Sequence, residues 1–305
     1  MEHPLLFCLD TVMVDIIMKV AHIPQKGGDV LADDRLFTTG GGYNAMSAAS
    51  RCGLDAVYVG ILGTGPFSDL ATESLDRDGI SAPLARALTL DAGYCVTLVE
   101  PNGERTFITA TGSEVELGAG ELETITPANG DYVLVSGYNI MYEPQASAIL
   151  SWLEALSSDV TVAFDPAIRI EDIPESNLAR MLKRTDWLLC NESEAQHLTG
   201  RGDMAEVVNH LATMSPHTVL RVGSEGCWVI EGESIVRVPG FAVHVVDTTG
   251  AGDTHNGIFL AELASGHTAN HAARVANAGA ALATEHFGPA TSPSIETILT
   301  WLATQ

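Results

Sequence analysis

Short apolar runs alternate with helical stretches along almost the whole chain, and this alternation limits the fold more than any other feature. Residues 5–9, 56–62, 132–136, 160–164, 187–190 and 218–222 read as strands. Segments with apolar residues at helical spacing lie between them, as at Ala45, Ala48, Ala49 and Cys52. Strands this short and continuously apolar are buried on both faces. The pattern predicts an α/β fold, a mostly parallel sheet sandwiched by helices. The early segments break the alternation. Residues 12–20 read as strand, and residues 93–100 and 105–110 flank Pro101-Asn102-Gly103-Glu104. Asn-Gly between two strand-like runs supplies the positive φ angles of a tight hairpin turn. These segments, about 11–38 and 91–113, are expected to form a small β-sheet lid. No linker or repeat divides residues 1–305, so a single domain is expected.

Ligands of such a sheet bind outside the carboxyl ends of its strands. Gly40 to Asn44, Gly137 to Asn139, Asp165, Asn191 to Glu194, Gly223 and Gly250 to Asp253 all fall there. The last group is the most telling. A strand-like run, residues 241–246, leads into Asp247-Thr248-Thr249-Gly250-Ala251-Gly252-Asp253, and a helical pattern follows it. Strand, glycine turn, helix start and carboxylate together suit a phosphate cradle beside a base. Small residues let backbone N–H groups approach an anion, and the helix N-terminus adds positive potential. The competing reading of Asp253 is an N-cap that only closes the helix. Neither a Walker loop nor a dinucleotide fingerprint is present.

Charge narrows the partners. The chain has 39 acidic and 15 basic residues, a net charge of −24. Nucleic-acid phosphates and anionic membranes would repel it. Asp10 and Asp15 interrupt the first apolar stretch, so neither a signal peptide nor a spanning helix is expected. Five scattered cysteines, Cys8, Cys52, Cys95, Cys190 and Cys227, form no CxxC pair. Buried free thiols in a reducing, cytoplasmic setting fit this usage, and no zinc site is expected.

Asp-Thr-Thr-Gly-Ala-Gly-Asp (247–253) resembles the C-terminal signature of the ribokinase-like, or PfkB, carbohydrate kinase family. Gly40-Gly41-Gly42-Tyr43-Asn44-Ala45 resembles its N-terminal signature. Asp165-Pro166-Ala167-Ile168-Arg169, Asn191-Glu192-Ser193-Glu194 and Gly223-Ser224-Glu225-Gly226 resemble further family motifs, in the family's order. The chain departs from the family pattern at Asp10 and Met13, where glycine and asparagine are usual. Arg221 replaces a usual threonine, and His255 a usual phenylalanine. The Gly-Gly of the first signature is also one residue out of the commonest register, and this difference and the one at Asp10 and Met13 fall on substrate recognition.

The resemblance implies an ATP-dependent, Mg²⁺-using kinase of a sugar hydroxyl. Asp253 would be the base, with Gly250, Ala251 and Gly252 forming the anion hole. Asp15, Gly41, Gly42 and Asn44 match positions that hold sugar hydroxyls. Arg105 could reach in from the lid or be a surface strand arginine; Arg169 could touch substrate or form an ion pair. Asn191, Gly223, Ser224, Gly226 and Asn277 would serve the nucleotide, although Asn191 also suits an ordinary helix start. Glu194 would hold Mg²⁺ through water, and Asp247 and Thr249 a monovalent cation such as K⁺. Tyr43, Met13 and Tyr94 could stack a nucleobase or pack in the core. A nucleoside kinase acting on the ribose 5′-hydroxyl and a non-catalytic sugar-binding regulator are the alternatives. Lids of this type pair edge to edge, which implies a homodimer.

Overall fold

The computed structural model describes residues 3–305. Twelve strands form two sheets: β1 Leu6–Leu9, β2 Val12–Val20, β3 Ala32–Gly41, β4 Ala56–Tyr58, β5 Tyr94–Val99, β6 Arg105–Ala110, β7 Tyr132–Ser136, β8 Thr161–Asp165, β9 Trp187–Asn191, β10 His217–Arg221, β11 Gly226–Glu231 and β12 Ser234–Pro239. The large sheet has the order β12-β11-β10-β9-β8-β7-β1-β4. Its strands are parallel from β4 to β10, and β11 and β12 run antiparallel at one end.

Both faces of this sheet are covered. Leu6 and Cys8 point into one apolar cluster with Tyr43, Ile258, Phe259 and Ala276. Phe7 and Leu9 point into another with Val133, Ile149, Leu153 and Val207. Alternate residues of one fully buried strand thus feed two cores, which is why β1 reads as an unbroken apolar run.

The second sheet, β3-β2-β5-β6, is built from the two early segments of the chain. Only Asp10 and Thr11 separate β1 from β2, so the chain passes from one sheet to the other across two residues. Asp15 aligns with Thr38 on β3 and Cys95 on β5. The row Phe37–Ile16–Val96–Ile108 lies on the opposite face.

Some expected elements differ. Residues 241–246 form no strand: the chain leaves edge strand β12 there without a ladder partner, and the amides of Val246 and Asp247 both donate to the Thr284 carbonyl. The run expected over residues 56–62 is regular only through Tyr58. The Ala-rich helix ends at Ala283, and the following residues fold back beneath Asp247.

Two helices position the site. Gly42–Arg51 leaves the end of β3, and Ala251–Ala264 follows the glycine turn. They cross at Gly257, where a Cβ would stand 2.1 Å from the Ala45 carbonyl oxygen and 2.9 Å from the Ala48 Cβ. Only glycine permits this approach. Among the described residues, no helix is long and apolar enough to cross a membrane.

Candidate active site

The parallel strands present their carboxyl ends in a row. Following the sheet from β1 through β7, β8 and β9 to β10, these ends carry Asp10, Ser136, Asp165, Asn191 and Arg221. The start of the Ala251–Ala264 helix faces this row. Gly250, in a left-handed conformation (φ 74°), is its N-cap, and no side chain caps it. Asp253 therefore does not cap the helix. Its carboxylate turns to accept a hydrogen bond from Asn44 Nδ2 at 2.9 Å. The Ala251 amide donates to the Thr248 carbonyl and the Thr254 amide to the Gly250 carbonyl. The amides of Gly252 and Asp253 have no acceptor among the described residues. Two free N–H groups at a helix start, with a carboxylate alongside, can bind an anion and take up a proton.

The electrostatics are dense in negative charge. Burial raises the Asp253 pKa and nearby Asp165 raises it further, while the Asn44 hydrogen bond and Arg221 oppose the rise. Burial and Asp253 push Asp15 up to about 7. Burial, then Asp253 and Asp165, push Asp10 up to about 8 against hydrogen bonds from Thr11 and Ser136. Glu194 rises to about 7 through burial and the Asp165 charge.

The one guanidinium paired with any of these five carboxylates, among the described residues, is that of Arg221. It donates to Asp165 Oδ2 at 3.1 Å and to Asn256 Oδ1, and lies 3.8 Å from Glu194 Oε2. Asn256 also donates to Asp165 Oδ2, at 2.6 Å. The Arg221 side chain packs against Gly252, with Nε 3.6 Å from where a Cβ would be. Asp10, Arg221 and Asn256 were missing from the sequence-derived site. Asp10 and Arg221 end strands, a signal that was available; Asn256 lies one helical turn beyond the anion turn.

The predicted residues sort into two groups. Asp15, Asn44, Gly250, Ala251, Gly252 and Asp253 come together. Asp15 lies over Gly40, where an added Cβ would be 1.9 Å from Oδ2. Gly41 and Gly42 support this corner by packing against Thr11 and Asp10. Gly223, Ser224 and Gly226 form the turn between β10 and β11.

Other expected residues already have partners within the protein. Asn277 is buried and fully engaged: its amide nitrogen donates to the carbonyls of Val238 and Pro239, and Oδ1 bonds His255 Nε2 at 3.1 Å. Burial and Arg221 lower the His255 pKa to about 3, so the neutral ring donates to Asn277. His255 and Asn277 thus join the two helices. Arg169 pairs with Asp172 at 2.7 Å. Asn191 caps its helix: its Oδ1 accepts the Glu194 amide, and Glu194 returns bonds to the Asn191 backbone and side chain. Tyr43 is buried with its hydroxyl donating to Asp78, so it cannot stack a base.

Arg105 does reach across from the second sheet, but it meets Asp247 Oδ1 and Thr248 Oγ1. Asp247 Oδ1 also accepts the amide and hydroxyl of Thr249, and Oδ2 accepts the Gly288 amide at 3.0 Å. Asp247 thus already accepts from four donors, one of them a guanidinium. For Mg²⁺ the donor set does fit. Asp165 and Glu194 sit beside Asp253 with a single guanidinium to offset three carboxylates, and carboxylate oxygens suit Mg²⁺.

An α/β fold whose strand ends carry carboxylates beside a helix start with two free amides suits a phosphotransferase. The comparisons make this specific. The family model described as pfkB family carbohydrate kinase matches residues 3–297, and the chain belongs to that family. It is an ATP-dependent sugar kinase. The chain is 31% identical over 293 residues to the uncharacterized sugar kinase YegV of Escherichia coli K12, covering 94% of this chain and 90% of that protein. It is 26% identical to ribokinase of Bacillus subtilis, covering 90% and 91%. In fold it is similar to ribokinase of Thermotoga maritima (TM-score 0.83, 23% identity, covering 98% and 99%). It is also similar in fold to adenosine kinase of Sinorhizobium meliloti (TM-score 0.87, 20% identity, covering 99% and 100%).

Proposed function

We propose that Asp253 is the general base of this sugar kinase and that the Gly252 and Asp253 amides receive the transferring phosphoryl group. The observation that carries this is the Asn44–Asp253 hydrogen bond. It holds the carboxylate beside the helix start, where the Asn44 amide lies 3.3 Å from where a Gly250 Cβ would be, and close enough to Asp15 to raise that residue's pKa. Phosphoryl transfer needs an attacking oxygen held in line, its proton removed, and phosphoryl charge stabilised. Asp15 and Asn44 hold acceptor hydroxyls. Asp253, with its affinity for protons raised by burial, takes the proton of the attacking one. The helix-start amides meet the charge that develops on the phosphoryl oxygens. Arg221 keeps Asp165 and Glu194 from adding their full charge to this spot.

Asp165 and Glu194 would hold Mg²⁺, largely through water. The ion supplies charge neutralisation at the nucleotide phosphates. The second sheet acts as a lid that excludes water. Its face opposite Asp15 exposes Phe37 and Ile108 at the two ends of an apolar row, and a second copy of the chain covers it. Gel filtration of Ile108→Asp as a monomer, against a dimeric parent, checks this. All five cysteines are free and buried, which supports a cytoplasmic setting.

The acceptor is a small polyhydroxylated sugar, because Asp10, Asp15 and Asn44 together accept and donate to several hydroxyls. A coupled ATP-consumption assay against sugars and nucleosides identifies it. Asp253→Asn should lower kcat by about 10²–10⁴-fold with folding intact. Near-normal kcat in that variant would remove the base assignment.

A further inference from the structure

Three side chains outside the site converge at the far end of the helix that carries Asp253. Glu262 lies in the last turn of Ala251–Ala264, His267 in the following turn, and His271 in the first turn of Ala269–Ala283. One potential ligand atom from each lies within 4.8 Å of the others. Glu262 is only 3% exposed, whereas both imidazoles are about half exposed. His267 Nδ1 and His271 Nε2 stand 2.9 Å and 3.3 Å from the same carboxylate oxygen, Oε2. Yet that oxygen accepts no hydrogen bond, since neither ring aims an N–H at it with suitable geometry.

A buried carboxylate oxygen without a donor is costly, so something must satisfy it. The distances indicate what. Ligands at 2.0–2.1 Å from a tetrahedral zinc ion stand about 3.3 Å from one another. The two observed separations fall at or just under that edge length. The backbone holds the arrangement in place: the His267 amide donates to the Glu262 carbonyl at 3.1 Å, and Thr268 caps the next helix through the His271 amide. The C-terminal end of the Ala251–Ala264 helix favours a cation. Two imidazoles and one carboxylate select zinc-class ions over Mg²⁺ or Ca²⁺.

We propose that Glu262, His267 and His271 form a binding site for a divalent transition-metal ion of the zinc class, with its remaining positions open to solvent. The expectation of no zinc site rests on there being no suitably spaced ligand pair, and His267-x₃-His271 is such a pair. The site lies nine residues from Asp253, about 13 Å along the helix, and it does not depend on the assignment of the base. An ion there joins the end of one core helix to the start of the next.

The test uses tag-free, chelator-treated full chain. Zinc is titrated in competition with a chromophoric chelator, and cobalt is followed by its visible absorption. One ion per chain is expected, with tetrahedral-type cobalt absorption and a zinc-dependent rise in Tm. His267→Ala and His271→Ala, both at exposed positions, should each weaken binding by about tenfold or more and remove the Tm rise. Unchanged binding in both variants would overturn the proposal. So would no binding at one equivalent of zinc near neutral pH.

Discussion

Replacing Arg221 by methionine tests the electrostatic reading of the site most directly. The guanidinium is 12% exposed and offsets Asp165 and Glu194, whose side chains are 16% and 5% exposed. Removing one partner of a buried pair costs about 3–5 kcal/mol, because the other charge stays behind. Two features place the cost toward the lower end. Asp165 keeps its hydrogen bond from Asn256, and Glu194 keeps two from Asn191. Glu194, with a pKa of about 7, can also take up a proton.

A loss of about 3 kcal/mol lowers Tm by roughly 5 °C in a chain of this size. The loss must depend on pH. Without Arg221 the Glu194 carboxyl holds its proton more tightly in the folded state, so stability is retained at low pH and lost as pH rises. Thermal scans at pH 5.5 and pH 8 should therefore show the larger deficit at pH 8. kcat/KM should fall as well, since the side chain packs against Gly252 at the start of the helix that carries Asp253. A Tm within about one degree of the parent, or an equal deficit at both pH values, would refute the reasoning.

Two further outcomes follow from the same geometry. In the ligand-free parent, the folded-state pKa values of Asp10, Asp15 and Glu194 lie at about 8, 7 and 7, above ordinary values of 3.8, 3.8 and 4.5. The stability these groups contribute is complete below their ordinary values and lost as pH rises through 7–8. Tm should accordingly fall between pH 5 and pH 8.5, and a rising Tm over that range would contradict the assignment. Because Arg105 occupies Asp247, turnover should be the same with potassium, sodium or a bulky organic cation as the only monovalent ion. Arg105→Met should lower activity and make it respond to potassium, and strong potassium activation of the parent would count against the Arg105–Asp247 pairing.

The sheet and the anion turn were legible because their signals are local. Unbroken apolar runs mark strands buried on both faces, and Gly250 to Asp253 carries its own backbone requirement. The pairings were not legible. Arg221 meets Asn256 and Asp165 at separations of 35 and 56 residues, and no spacing rule connects them. Asn277 and Asn191 show a second limit. An amide on a helix looks the same in sequence whether it grips a ligand, caps its own helix or bonds the carbonyls of a passing strand. Residues 241–246 show a third. Their alternation suits a strand, but a strand also needs a partner, and the sheet ends at β12.

The contact at Gly257 has a consequence for how the chain becomes active during synthesis. Asn44 and Asp253 are 209 residues apart in sequence. At the usual 5–20 residues per second, a ribosome takes roughly 10–40 s to pass from one to the other. For that interval the Gly42–Arg51 helix has emerged without the partner that covers Ala45, Ala48 and Ala49. Its apolar side is open to chaperones or to another nascent chain. The arrival of Ala251–Ala264 closes that exposure and brings Asp253 to Asn44 at the same time, so one burial step both covers an aggregation-prone face and assembles the proposed site.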